Sequence, residues 1–263
     1  MNSVAEVEQK LRELGPWHFD IEVAPGVRSA KYNKETYGDV DLDKVGVVDP
    51  NEMRELLTVI LPDGGVSGRT FLDVGCNAGG YCFVAHELGA KGCYGFDVRD
   101  HWIKQAEFVK SLKYPDAHSV KFNIADVKQF AHDQQYDVVL FKGVFYHLPD
   151  PISMLAKLCE LTSHAIIVDS ASRSDIPGEC MVPWWESKTH VMSGVDGLAW
   201  FPGGPEVVAS ILKWCGFPHT RVINHRKGGQ AERFRGRFRM IATRHESDLA
   251  AFDASQKARV KTG

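Results

Sequence analysis

Apolar positions along this chain switch between two periods. Short apolar runs at 70–74, 91–97, 119–123, 136–141 and 164–169 read as strands buried on both faces. Helical spacing governs 79–89, 100–113, 151–161 and 205–215, and two last strands are expected near 219–224 and 233–243. Strands alternating with helices predict a doubly wound α/β fold, its sheet mostly parallel, its crossovers right-handed and its helices on both faces. Before this core, residues 1–14 pattern as a short amphipathic helix and 17–50 as a loop-rich lead-in. Asn51 to Leu61 reads as a helix capped by Asp49, with Pro50 in its first turn. The expected division is a helical lead-in and cap over 1–68, a core over 69–245 with a substrate-facing insertion at 170–204, and a tail over 246–263. The insertion breaks the rhythm with prolines, glycines and three tryptophans.

In such a sheet, ligands lie beyond the carboxyl ends of the strands, where strand order reverses. The chain places its most telling residues there. Phe71-Leu72-Asp73-Val74-Gly75-Cys76-Asn77-Ala78-Gly79-Gly80 is a buried strand running into a small-residue turn and then a helix. Such a turn lets backbone N–H groups approach a ligand closely. Asp97 ends the next strand, where an acid accepts hydrogen bonds from ribose hydroxyls. These features point to a nucleoside cofactor. A pyrophosphate-binding G-x-G-x-x-G is not present, and Asp73 is a poor neighbour for phosphate but a good one for an ammonium, which disfavours an NAD-dependent oxidoreductase.

The spacing Asp73-x-Gly75-x-Asn77-x-Gly79 resembles motif I of the class I S-adenosylmethionine (SAM) methyltransferases, with Asn77 where that family most often has glycine. Asp126 resembles its acid after strand three. Tyr136 to Pro151 resembles its motif IV and the following turn, and the Gly143-Val144-Phe145-Tyr146-His147-Leu148-Pro149-Asp150-Pro151 part is similar to a narrower group, the tRNA wobble-uridine (5-oxyacetic acid) methyl and carboxymethyl transferases. Trp17 to Val27 and Trp200 to Phe217 extend that likeness. The resemblance implies a Rossmann-like sheet of seven strands and SAM as cofactor, leaving S-adenosylhomocysteine. It implies that Asp73, Gly75, Asn77 and Gly79 face the amino acid end of SAM and that Asp126 and Val127 lie near the adenine, though Asp126 could instead cap a helix; Asp97 and Val98 are expected at the ribose, and Arg99 either stacks on the adenine or lines the rim. Lys142, costly to bury unpaired, is expected to reach Asp73, the SAM carboxylate or solvent beside Gly143.

Composition sets the surroundings. The chain has 263 residues, 44% of them hydrophobic, which suits one α/β domain with attachments. No apolar run approaches the roughly 20 residues that cross a bilayer, so no membrane partner is expected. Six scattered cysteines without Cys-x-x-Cys read as free, mostly buried thiols, and the expected location is the cytoplasm. No metal is expected. The net charge of −3 hides an asymmetry: eleven basic and four acidic residues from Arg221 onward, against 20 and 30 before it. Arg233, Arg235, Arg237 and Arg239 alternate with Phe234, Gly236, Phe238 and Met240, the pattern of a strand with its arginines on a solvated face. A contact with phosphates or an acidic partner is the alternative.

A sulfonium methyl is already activated, so the protein's task is to align the acceptor and, for a hydroxyl or an amine, to remove a proton. Tyr146 and His147 follow the fourth strand, where acceptor-facing groups belong. His147 is the preferred base, with His190 in the insertion as a second candidate. Trp184, Trp185 and Trp200 are read as an aromatic wall for the acceptor, with Lys31 and Tyr32 closing from the lead-in. The expected reaction is methyl transfer to an O or N atom of a small metabolite. The alternatives are alkylation of a tRNA wobble uridine, disfavoured by the acidic bulk of the chain, and a non-catalytic SAM-binding subunit.

Overall fold

The computed structural model describes residues 3–33, 46–131, 133–228 and 236–262. The lead-in holds helix α1 (Val4–Leu14), a hairpin of β1 (Glu22–Ala24) and β2 (Val27–Arg28), and helix α2 (Arg54–Val59). Ser3 and Glu6 cap α1 reciprocally, and Val7 and Leu11, one helical turn apart, bury its inner stripe. The Asp49 side chain accepts from the Asn51 N–H at 2.9 Å, as expected, but Pro50–Met53 forms a tighter 3-10 turn before α2 begins.

The core alternates as the periodicity predicts: β3 (Thr70–Val74), α3 (Gly80–Glu87), β4 (Gly92–Asp97), α4 (Asp100–Lys113), β5 (Val120–Ile124), β6 (Tyr136–Lys142), α5 (Pro151–Glu160) and β7 (Thr162–Ser172). The insertion folds into a second hairpin, β8 (Met181–Trp185) and β9 (Leu198–Pro202), which hydropathy alone did not disclose. Helix α6 (Pro205–Trp214), β10 (His219–Arg226) and β11 (Gly236–Thr243) follow. The chain beyond 246 is no simple tail: it ends in helix α7 (Ala250–Thr262), docked against α2. Arg233 and Arg235 lie outside the described residues.

Among the described residues seven strands form one sheet in the order β10-β11-β7-β6-β3-β4-β5, and only β11 runs against its neighbours. Period-two alternation divides the core between its faces. Phe71, Val138, Leu140, Ala165, Ile167 and Ile241 point to one layer, shared with α1 to α4 and the lead-in. Leu72, Val74, Val139, Phe141, Ile166, Val168, Phe238 and Met240 point to the other, shared with α5 and α6. Because both faces are covered, the central strands read as continuous apolar runs. Chain direction across the sheet reverses between β3 and β6, which opens the crevice described next. Among the described residues no helix is long and apolar enough to cross a membrane.

Candidate active site

A cavity of about 860 Å³ lies over the carboxyl ends of β3, β4 and β6. One half is bounded by the loop after β3 and the tips of β4 and β5. The loop turns through left-handed backbone at Gly75 (φ 72°), Asn77 (φ 50°) and Gly79 (φ 75°). Asn77 tolerates that angle, and its Oδ1 turns back to accept from the Ala78 N–H at 2.7 Å. Asp97 Oδ2 accepts from the Asn77 N–H at 3.1 Å and Oδ1 from the Arg99 N–H at 3.0 Å, so this carboxylate ties loop to strand while facing the cavity. Burial raises its pKa, against those N–H bonds and the Arg99 charge. Phe96, Val98, Trp102, Val127 and Leu148 give this half an apolar slot, with Asp126 at its rim. Asp126 caps its own turn, accepting from the Lys128 N–H at 2.9 Å, and pairs with Lys128 Nζ at 3.2 Å.

Asp73 sits behind the loop instead of lining the cavity. It is 2% exposed, and its Oδ2 is buried without a hydrogen-bond partner among the described residues. Burial, reinforced by Asp97 and only partly offset by Lys142, pushes its pKa up to about 8. An orphaned acid beside a left-handed loop, an apolar slot and a carboxylate at a strand tip together fit an ammonium-bearing nucleoside. Gly79 also lies off the cavity surface. A Cβ there would stand 2.5 Å from the Phe122 ring and 3.2 Å from Ala106, so glycine is required by packing under the loop. At Gly75 the neighbour is Val144, 2.4 Å away.

The other half of the cavity is charged. Lys142, Asp169 and Arg239 stand in register on three adjacent strands, β6, β7 and β11. Asp169, 2% exposed, accepts from Arg237 Nε at 2.5 Å and from Arg239 Nε at 2.6 Å. Burial raises the Asp169 pKa, but Arg237, Lys142 and Arg239 outweigh it and hold the carboxyl below its ordinary value. Glu52, reaching over from the lead-in, bridges Lys142 Nζ at 3.3 Å and Arg239 Nη2 at 3.4 Å and accepts from the Tyr81 hydroxyl at 2.7 Å. Lys142 therefore pairs with Glu52, not Asp73, and burial lowers its pKa. Arg237 and Arg239 correct the solvated-face expectation. Period-two spacing does turn them away from Phe238 and Met240, but the face they occupy is the cavity wall, joined by Arg226.

The β8–β9 hairpin roofs the site. Arg99 Nη2 donates to the carbonyls of His190 (3.0 Å) and Ser193 (2.9 Å), so its side chain holds the roof. Lys128 Nζ reaches Asp196 at 2.7 Å. Tyr146 and His147 line the cavity in the turn after β6, and Gly143 and Val144 precede them. Burial raises the Tyr146 pKa although Arg237 interacts with its hydroxyl. His147 Nδ1 lies 2.7 Å from Glu186 Oε2 in the roof.

Several expected site residues fall elsewhere. His190 is outside the cavity, where its Nδ1 accepts from the Met192 N–H at 3.2 Å and its carbonyl serves Arg99. Trp184 and Trp185 lie outside the cavity, Trp185 with 77% exposure, and Trp200 donates from Nε1 to the Pro149 carbonyl at 3.1 Å, bracing the roof. The aromatic wall is thus not assembled. Lys31 and Tyr32 pack on α1, Lys31 being 3.9 Å from Glu8 and the Tyr32 hydroxyl donating to the same carboxylate. Glu52, Asp169 and Glu186 belong to no motif, so nothing in the sequence marks them; Phe96 lies in the apolar run that Asp97 ends, and Trp102 carries no signal beyond its place in the helix of 100–113. The cysteines are all free, but Cys180 is exposed.

The fold and crevice resemble those of class I SAM-dependent methyltransferase domains. Residues 66–195 match a family described as a methyltransferase domain. The chain is similar to tRNA U34 carboxymethyltransferases: 34% identity over 101 residues with that of Nautilia profundicola, covering 38% of this chain and 33% of the relative. With that of Campylobacter lari, identity is 26% over 167 residues, 62% of this chain and 54% of the relative. The chain thus spans about half or less of these curated relatives. Among solved structures, the N-terminal domain of EvdMO1 with SAH bound superposes with a TM-score of 0.73 at 20% identity, over 92% of this chain and 98% of that one. Magnesium protoporphyrin IX methyltransferase from Synechocystis PCC 6803 with bound SAM gives 0.53 at 18% identity, over 74% and 79%.

Proposed function

We propose that this protein uses SAM to methylate an oxygen or nitrogen atom of a small metabolite. The observation that carries the reading is one continuous cavity that joins the Asp97 strand tip to His147 and Tyr146 beneath a pinned roof. When bound, SAM supplies an electrophilic methyl group that needs no further activation. Asp97 accepts from the two ribose hydroxyls while it holds Asn77 and Arg99. The slot around Phe96, Val98 and Val127 encloses the adenine, with Asp126 accepting from its amino group. Asp73, behind the loop, ionises as the ammonium settles against the loop. His147 takes the acceptor proton, and the roof excludes water from the transfer. In calorimetry SAM should bind and NAD should not. Asp97→Ala should weaken SAM by about 100-fold, the loss of two hydrogen bonds to a charged group. Unchanged affinity would remove the proposed site. Mass spectrometry of a metabolite extract incubated with enzyme and labelled SAM identifies the product.

A second reading, carboxymethyl transfer to a tRNA wobble uridine, is favoured by the named activity of the relatives and by Lys142, Arg226, Arg237 and Arg239, which suit a donor with an additional carboxylate. Tighter calorimetric binding of carboxy-SAM than of SAM, with tRNA retention that falls steeply with salt, would select it.

A further inference from the structure

Glu186 and His147 form a buried pair that the cofactor site does not use. The two side chains are 10% and 16% exposed. A single oxygen, Glu186 Oε2, takes both His147 Nδ1 at 2.7 Å and the Gly194 N–H at 2.9 Å. The roof is seated closely on this turn: a Cβ at Gly194 would stand 2.4 Å from the His147 carbonyl oxygen. Nε2 of His147, on the other side of the ring, has no hydrogen-bond partner among the described residues, and His147 lines the cavity. Although burial raises the Glu186 pKa, the His147 hydrogen bond and charge and the Gly194 N–H outweigh it, so the carboxyl stays ionised near neutral pH.

We propose that Glu186 is the positioning residue that holds His147 as the Nδ1–H tautomer with its Nε2 lone pair toward the acceptor, and that the acceptor group is a hydroxyl. An ionised carboxylate can only accept, so Nδ1 must carry the proton and Nε2 must be the base. This arrangement best serves an O–H nucleophile: a carboxylate acceptor needs no base, and an amine can lose its proton after transfer, whereas a hydroxyl must lose it as the C–O bond forms. The acceptor oxygen forms the new C–O bond and its proton passes to Nε2. The S–CH₃ bond breaks with its electron pair staying on sulfur, and Glu186 balances the imidazolium. The acceptor assignment rests on the methyltransferase reading; the hold of Glu186 on His147 does not.

The test is long-range ¹H–¹⁵N correlation of the imidazole rings in the full chain, with His147→Gln assigning the signal. Wild-type protein should show neutral His147 protonated at Nδ1. Glu186→Gln keeps one acceptor oxygen and should preserve that tautomer while slowing methyl transfer; Glu186→Ala should shift the ring to the Nε2–H form that prevails in water. Both should lower kcat by about 10² or more and leave KM little changed, and the labelled product should be a methyl ether. An Nε2–H ring in wild-type protein overturns the positioning role without any variant, as does an unshifted ring in Glu186→Ala. A methyl ester or N-methyl product overturns the hydroxyl assignment. Lack of SAM binding with the Nδ1–H ring intact would instead defeat the methyltransferase reading and the acceptor assignment with it.

Discussion

Replacing Asp73 by asparagine should make the ligand-free protein more stable, by an amount that grows with pH. Asp73 is buried, its Oδ2 has no partner among the described residues, and its pKa is pushed up from 3.8 to about 8. The unfolded chain therefore loses this proton near pH 4, whereas the folded chain keeps it until near pH 8. Between those values the folded state binds the extra proton, so stability falls as pH rises, by about 1.4 kcal/mol per unit. At pH 7 this amounts to about 4 kcal/mol. Asparagine resembles the neutral acid in size and does not ionise, so Asp73→Asn should match wild type near pH 4, exceed it by about 4 kcal/mol at pH 7 and level off above pH 8. Urea denaturation of both proteins without ligand at pH 4.5, 6, 7 and 8.5 measures the difference directly. A gap that does not vary with pH, or a variant less stable at pH 7, would show that Asp73 is ionised and stabilised in the fold. The same variant should bind SAM more weakly, because an amide cannot ionise in response to the ammonium as the acid can.

Asp169→Ala should cost about 3–5 kcal/mol at pH 7, since it strips Arg237 and Arg239 of a buried counterion; a loss below about 1 kcal/mol in urea would contradict the pairing. As the Asp169 carboxyl is held below its ordinary pKa of 3.8, its contribution is present above that value and lost as pH falls through the lowered one, so the wild-type advantage should vanish in acid. Gly79→Ala forces a side chain into positive φ against the Phe122 ring and should cost about 1–3 kcal/mol, lowering the melting temperature; an unchanged one would mean that the loop accommodates the methyl group.

Much of the cofactor half was legible because its determinants are local. A buried strand, a turn with left-handed positions and a helix occupy consecutive residues 70–87, and Asp97 ends the very next strand, so period and turn chemistry alone bring them to one sheet edge. The acceptor half was legible only in part. Tyr146 and His147 follow a strand whose end is predictable, but His190 and the tryptophans were assigned by their presence in an insertion whose path hydropathy does not encode. The hairpin there turns Trp185 outward and carries Glu186 inward, adjacent residues with opposite fates.

The sequence by itself determined the alternating α/β order, the two-faced sheet core, and the placement of Gly75, Asn77 and Asp97 at a strand-end crevice. It also determined that Arg237 and Arg239 point away from Phe238 and Met240. Only the tertiary structure decided what that opposite face meets. Glu52, Lys142, Asp169 and Arg239 come from four separate segments, and it is sheet register and the return of the lead-in that bring them together. Periodicity reports which side of a strand a residue occupies; it is silent on whether water or another part of the chain covers that side.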